Sequence, residues 1–359
     1  MRLLLVLVFL FIAPQIALSD DPRPVKIGVL FPLTGEISSW GTKALEGVNL
    51  AFREAPEGKV SVITEDSGSL ASRELLSSTR KLIDIDKVDI IIGPASVDQT
   101  SVVAPLLSKH QIPTISLSLC SDGFLKYKNL FCSYPSSKEQ LSSLPKLLNS
   151  LHLTRISLVL EQSVYADEVR EILKELRSAG DFEIISITTL AAKDQDLRSV
   201  ISRIRSEKPD AVFACTVDPA QSFAFFKQLK EQGYSGSRIG YLDIDEKYRK
   251  EFGKSIEGIF LPGFISNKYS TDFVDRFRAA YSHDPDMYGA LGYDIAKSVI
   301  AALASANWDP KKLVELLPRV HSASPAIMGY HFKEDRTISL PIEVWRVEAD
   351  GFLPYSIAQ

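Results

Sequence analysis

"VKIGVLFPLTGEISSWGTKALEGVNLAF", Val25–Phe52, holds the pattern on which most of the chain is built. Its first nine residues are rich in Val, Ile and Leu and barely alternate, as in a parallel strand buried on both faces. From about Trp40 to Glu54 the period becomes helical, with Ala44, Val48, Ala51 and Phe52 on one face. Ser38, Ser39, Trp40 and Gly41 crown the turn between strand and helix, the place where open α/β sheets bind ligands. The glycine spacing that cradles phosphate is missing there, so this turn is not read as a nucleotide site.

The same grammar continues. VSVITEDS precedes a helical run, VDIIIGPA precedes SVVAPLLSKHQ, and IPTISLSL follows, making four β units within about a hundred residues. "CSYPSSKEQ" (Cys132–Gln140) reads as a polar break, after which strands and helices alternate again from RISLVLE to RIGYLDI. Two long helical patterns then appear, TDFVDRFRAAYSH and YGALGYDIAKSVIAALASA, long after the second sheet has ended. The economical topology returns the chain to the first lobe near Phe264–Lys268 and crosses back near Asp335–Ser339, with turns at Lys333–Arg336 and Ala349–Gly351. The expected fold is α/β: two doubly wound lobes joined by three hinge crossings. Lobe one would span 20–135 plus 266–336, and lobe two 136–265 plus 337–359.

Residues 1–19 have the form of a secretory leader: Arg2, the apolar run Leu3–Ala13, the breaker Pro14, then small residues up to Ser19. Cleavage is expected near Ser19. The apolar run is short for a bilayer span. About 340 residues would remain, long enough for two cores. The net charge of −4, with bases interspersed among acids, gives no electrostatic footprint for nucleic acid. Of three cysteines, Cys120 and Cys132 flank a short loop and Cys215 lies in an apolar strand. One Cys120–Cys132 bridge plus one buried thiol is the simplest arithmetic in an exported chain; three buried thiols is the alternative.

The stretches Val25–Phe52, "VDIIIGPASVDQTSVVAPLLSKHQIPTIS", "RISLVLEQSVYADEVREILKEL" and "YDIAKSVIAAL" resemble the type I periplasmic solute-binding proteins. More closely they resemble the leucine/isoleucine/valine-binding protein family, the receptors of ABC importers, and the resemblance covers essentially all of the chain after the leader. It implies a periplasmic monomer whose lobes close on a small polar solute, such as an amino acid, and deliver it to an inner-membrane permease. No cofactor or metal is implied. Two other roles fit the same fold: a regulatory or interaction module of the cell envelope, as in cell-wall synthase activators, and a sensor subunit.

The resemblance also assigns candidate ligand contacts. Trp40 matches the family's tryptophan that packs on the solute, though it can also simply cover a helix start. Ser96 in "GPASVDQT" stands where helix amides favour an anion, one place before the family's usual serine; Val97 occupies that place, and Ser96 can instead cap the helix. Ser118, Cys120 and Ser121 fall in the window of the family's backbone carbonyl and hydroxyl contacts. A bridged Cys120 could not donate, which speaks against an ordinary α-amino acid. Tyr165 matches an aromatic lid, or is a helix-start tyrosine. Asp243 lies near the family's ammonium partner, with Asp245 read as a helix cap and Asp218 as a cap or cleft residue. Tyr288 and Tyr293 begin the returning helix, and Tyr293 is included in the expected site. Five scattered histidines, no HExxH, no GxSxG, no P-loop and no zinc spacing leave catalysis without support, and no enzyme activity is expected.

Overall fold

The computed structural model describes residues 23–69, 73–191, 194, 196–241, 246–263, 268–340 and 342–357. The leader, Asp243 and Asp245, and most of the segment expected to carry the second crossing lie outside them.

The first sheet contains β1 (Val25–Phe31), β2 (Val60–Asp66), β3 (Ile90–Ile92), β4 (Thr114–Leu119) and β5 (Leu130–Tyr134), all parallel, in the order β2-β1-β3-β4-β5. β1, β3 and β5 are buried almost throughout because helices cover both faces, the reason their sequences are continuous apolar runs. The second sheet contains β6 (Arg155–Glu161), β7 (Glu183–Leu190), β8 (Ala211–Cys215), β9 (Ser237–Gly240) and β10 (Phe260–Gly263), joined in parallel. A short hairpin, β11 (His331–Phe332) and β12 (Ile338–Ser339), precedes β13 (Glu343–Glu348) and β14 (Gly351–Pro354). β13 and β14 extend the second sheet antiparallel, giving the order β14-β13-β10-β9-β8-β6-β7.

The helices Thr271–Tyr281 and Met287–Ser305 do return to the first sheet. Phe273, Phe277, Leu291 and Val299 share one core with Ile27, Val29 and Ile92. The 287–305 helix lies along the helix Ser38–Arg53 through small residues: a Cβ on Gly47 would sit 1.9 Å from the Gly289 carbonyl oxygen, and one on Gly292 2.1 Å from that of Ala44. Only glycine permits backbones this close.

The sequence reading missed one strand. The polar break begins inside β5, where Cys132, Ser133 and Tyr134 are buried. Ser133 escapes the cost of burial by donating to the Ser116 carbonyl at 2.8 Å, so a polar letter here is compatible with an interior strand. Beyond 336/337 the chain still contributes to the first core. Ile338 and Leu340 still pack in the first core, and Val344 is the first residue after them in a core of the second sheet.

Candidate functional site

Read from the β2 edge, the first sheet runs β2-β1-β3, and read from the β7 edge, the second runs β7-β6-β8, so each has a switch point where neighbouring crossovers diverge and leave a crevice beyond the strand ends. In the first sheet the switch lies between β1 and β3, and in the second between β6 and β8. A cavity between the lobes is lined from both. Trp40 follows β1, Ala95 to Asp98 follow β3, and Leu117 to Leu119 end β4. From the second sheet come Tyr165 after β6, and Thr216 and Val217 after β8. The cavity has a volume of about 50 Å³, room for only a few waters or a very compact group.

Aromatic faces dominate the wall. Trp40 stacks on Tyr288 at 5.5 Å and 14° between planes, the two rings projecting from the first turns of the paired 38–53 and 287–305 helices. Tyr134 enters from the end of β5 and donates its hydroxyl to Met287 Sδ at 3.2 Å. Tyr165, on the helix Val164–Ala179, leans on Tyr241 at 5.9 Å.

The hydroxyls are largely committed. Ser96 caps the helix Val97–Lys109 by accepting from the Gln99 amide at 3.1 Å while also facing the cavity. Ser118 lines the cavity, but its Oγ lies 2.6 Å from Ser116 Oγ and donates to the Leu119 carbonyl at 3.2 Å. Thr216 donates to the Asp218 carbonyl at 2.7 Å. Gly93 fixes this corner: its φ of +118° and a hypothetical Cβ only 2.0 Å from the Leu30 carbonyl oxygen leave no place for a side chain.

The charge in the cavity belongs to Asp98, whose Oδ1 accepts the Val164 amide across the lobes at 2.9 Å. Burial raises its pKa above the ordinary aspartate value, against the pull of the Val164 and Tyr165 amides and its own. Deeper in the second lobe, Glu161 accepts from the Val217 amide at 2.6 Å, and burial raises its pKa too, with Asp218 and Asp98 adding to the rise. On the same helix as Tyr165, Glu168 meets the Ser121 hydroxyl and is pushed up to about 6, mainly by burial. A continuous apolar cluster, including Val97, Cys120 and Phe124 on one side and Leu141, Tyr165 and Val169 on the other, joins the lobes beside the cavity.

Measured against the sequence reading, Trp40, Ser96, Ser118 and Tyr165 lie on the cavity wall. Cys120 does not: it is bonded to Cys132, Cα–Cα 5.2 Å, and buried in the apolar cluster. Cys215 is buried in β8, outside that pair. Ser121 caps a short turn and faces Glu168 rather than the cavity. Tyr293 turns away, its hydroxyl 3.0 Å from Glu54 Oε2 and its ring against Phe273 at 4.9 Å, because it stands five residues beyond Tyr288 and so on another face of the helix. Asp218 caps the helix Pro219–Glu231 by accepting from the Ala220 amide. Asp243 is outside the described residues. Sequence reasoning missed Asp98 and Tyr134. An acid in a first helical turn is the ordinary dipole-matching choice and raises no flag, and Tyr134 was hidden in the supposed break.

The fold is a two-lobed α/β architecture with a cavity at facing switch points. Residues 24–351 match the family model described as "Periplasmic binding protein", and the chain belongs to that family. It is 21% identical to Leu/Ile/Val-binding protein homolog 7 of Brucella abortus, an alignment covering 90% of this chain and 88% of the relative. The leucine-binding protein LivK of Thermotoga maritima superposes with a TM-score of 0.79 at 20% identity, covering 92% of this chain and 98% of that one. A solute-binding protein of an R. palustris ABC transporter, solved with benzoate, gives 0.80 at 19%, covering 92% and 95%. LivJ of Streptococcus pneumoniae, solved with isoleucine, gives 0.77 at 20%, covering 93% and 100%. Among the described residues no helix is long and apolar enough to cross a membrane.

Proposed function

We propose that this chain is a periplasmic solute receptor that binds one small organic molecule between its lobes and delivers it to an ABC importer in the inner membrane. The reading includes removal of residues 1–19, action as a monomer, and no catalytic step. It divides the mature chain into lobe one, 20–135 plus 266–340, and lobe two, 136–265 plus 341–359, the last boundary following the packing of Leu340 in the first core. The observation that carries it is the cavity at the two facing switch points, walled by Trp40, Tyr134, Tyr165 and Tyr288. Rigid rings give apolar contact at little cost in side-chain entropy, and contacts from both lobes favour the closed form only when a ligand joins them. The R. palustris and S. pneumoniae relatives, with benzoate and isoleucine, support a small-molecule ligand of this general size.

The test is native mass spectrometry of the protein isolated from its own periplasm, followed by denaturation to identify a released solute, then titration of that solute into Trp40→Ala. A loss of about 1–3 kcal/mol is expected for a buried aromatic anchor. Unchanged affinity would remove the cleft reading. A regulatory envelope module is the second reading, favoured by Val97 in the place of a serine and by the narrow cavity. It predicts no solute and a protein partner recovered by crosslinking.

A further inference from the structure

Among the described residues lining the cavity there is one acid, Asp98, and no lysine, arginine or histidine. One of its oxygens, Oδ1, is used by the Val164 amide, whereas Oδ2 is buried and without a hydrogen-bond partner among the described residues. A buried carboxylate oxygen left unpaired is costly, and a donor supplied by a ligand would remove that cost.

The place an anionic ligand would take is already served from within. Helix amides attract carboxylates, but here the amides of Val164 and Tyr165 on one helix and of Asp98 on the other face the Asp98 carboxylate itself. A ligand carboxylate entering beside it would meet a like charge with no base among the described wall residues, and Glu161 and Asp218 behind Val217 deepen the negative field. The hydroxyls of Ser118 and Thr216 already donate to carbonyls. Apart from Ser96, the remaining described wall is aliphatic and aromatic, and the ring faces of Trp40, Tyr134, Tyr165 and Tyr288 attract cations.

Building on the receptor reading above, we propose that the solute is a compact organic amine carrying one positive charge and no carboxylate, its N–H donating to Asp98 Oδ2 and its apolar body lying against Trp40, Tyr165 and Tyr288. The lobes would part slightly to admit the body, and Asp98 would bridge solute and Val164 on closure.

A matched set separates the charge from the shape: isobutylamine, isobutanol, isobutyrate and L-valine, each titrated calorimetrically at neutral pH up to about 10 mM. Isobutylamine is expected to bind at least ~10-fold tighter than isobutanol, about 1.4 kcal/mol, with isobutyrate and valine weaker still. Asp98→Asn keeps an oxygen for the Val164 amide and should bring isobutylamine to parity with isobutanol, with an unchanged melting temperature reporting an intact fold. Tighter binding of isobutyrate or valine, or an amine preference that survives Asp98→Asn, overturns the amine proposal alone, as does a carboxylate found as the native solute. If none of the four binds and no solute is released from the native protein, the receptor reading fails with it.

Discussion

Gly292→Ala is expected to destabilise the first lobe and to loosen the wall of the ligand cavity together. The added Cβ would lie 2.1 Å from the Ala44 carbonyl oxygen and 2.9 Å from its carbon, where ordinary contact begins at 3.4 Å, so the backbones must part by about 1.3 Å (3.4 − 2.1). No rotamer change relieves a clash with backbone. Overpacking of this kind costs typically ~1–3 kcal/mol, and the better helix propensity of alanine returns about 1 kcal/mol. Because the clash is with main chain, the upper part of the range applies, leaving a net loss of about 1–2 kcal/mol. For a chain of about 340 residues that is a fall in melting temperature of roughly 1.5–3 °C. Gly289→Ala, one turn earlier, is the control: its Cβ would meet the Phe277 ring at 3.2 Å, and a ring edge can tilt. Propensity and mild crowding then nearly cancel, and the change should stay within about 0.5 kcal/mol. Thermal unfolding followed by far-UV circular dichroism measures both. Near-UV spectra add the functional half, since Trp40 and Tyr288 ride on the two helices being separated. A Gly292→Ala protein as stable as wild type, or less affected than Gly289→Ala, would refute the seam. Loss of stability with an unaltered aromatic spectrum would refute the link between seam and cavity.

Three further outcomes follow from the site. Replacing Cys120 and Cys132 together by serine should lower stability by about 2–3 kcal/mol, the range for a loop of this length, and peptide mapping without reductant should show the two residues linked in wild type. Glu168, raised to about 6 from an ordinary 4.5, binds a proton more tightly folded than unfolded, so its contribution to stability is full below pH ~4.5 and is lost as pH rises through ~6. Burial also raises the pKa values of Asp98 and Glu161, which act with the same sign. Glu168→Gln should flatten the change in denaturation midpoint across that window, and a slope unchanged by the substitution would exclude Glu168 as its source. Tyr293→Phe removes the hydroxyl bonded to Glu54 and should cost about 1 kcal/mol of stability while leaving solute affinity alone; Tyr288→Ala should weaken affinity, and calorimetry with the identified solute would expose the reverse pattern.

Much of this protein is written in local pattern. Val25–Phe52 shows its strand and its helix because each follows from periodicity within a few residues, and Trp40 is visible as a large apolar ring placed at a strand end. The pairing of Cys120 with Cys132 was open to the same kind of counting. The return of the 271–305 helices could be inferred because a sheet with one bare face must find cover. Other features depend on what stands opposite. Ser133 reads as polar until the carbonyl of Ser116 is found to receive its proton, so the fifth strand was lost with it. Tyr288 and Tyr293 are equivalent letters near one helix start, and only rotation about the helix axis sends one to Trp40 and the other to Glu54. Asp98 is an ordinary first-turn acid in one dimension. It becomes the charge of the cavity only because the second lobe brings the amide of Val164, distant along the chain, to one of its oxygens and buries the other; solvent exclusion by a second lobe is a property that no local stretch of sequence encodes.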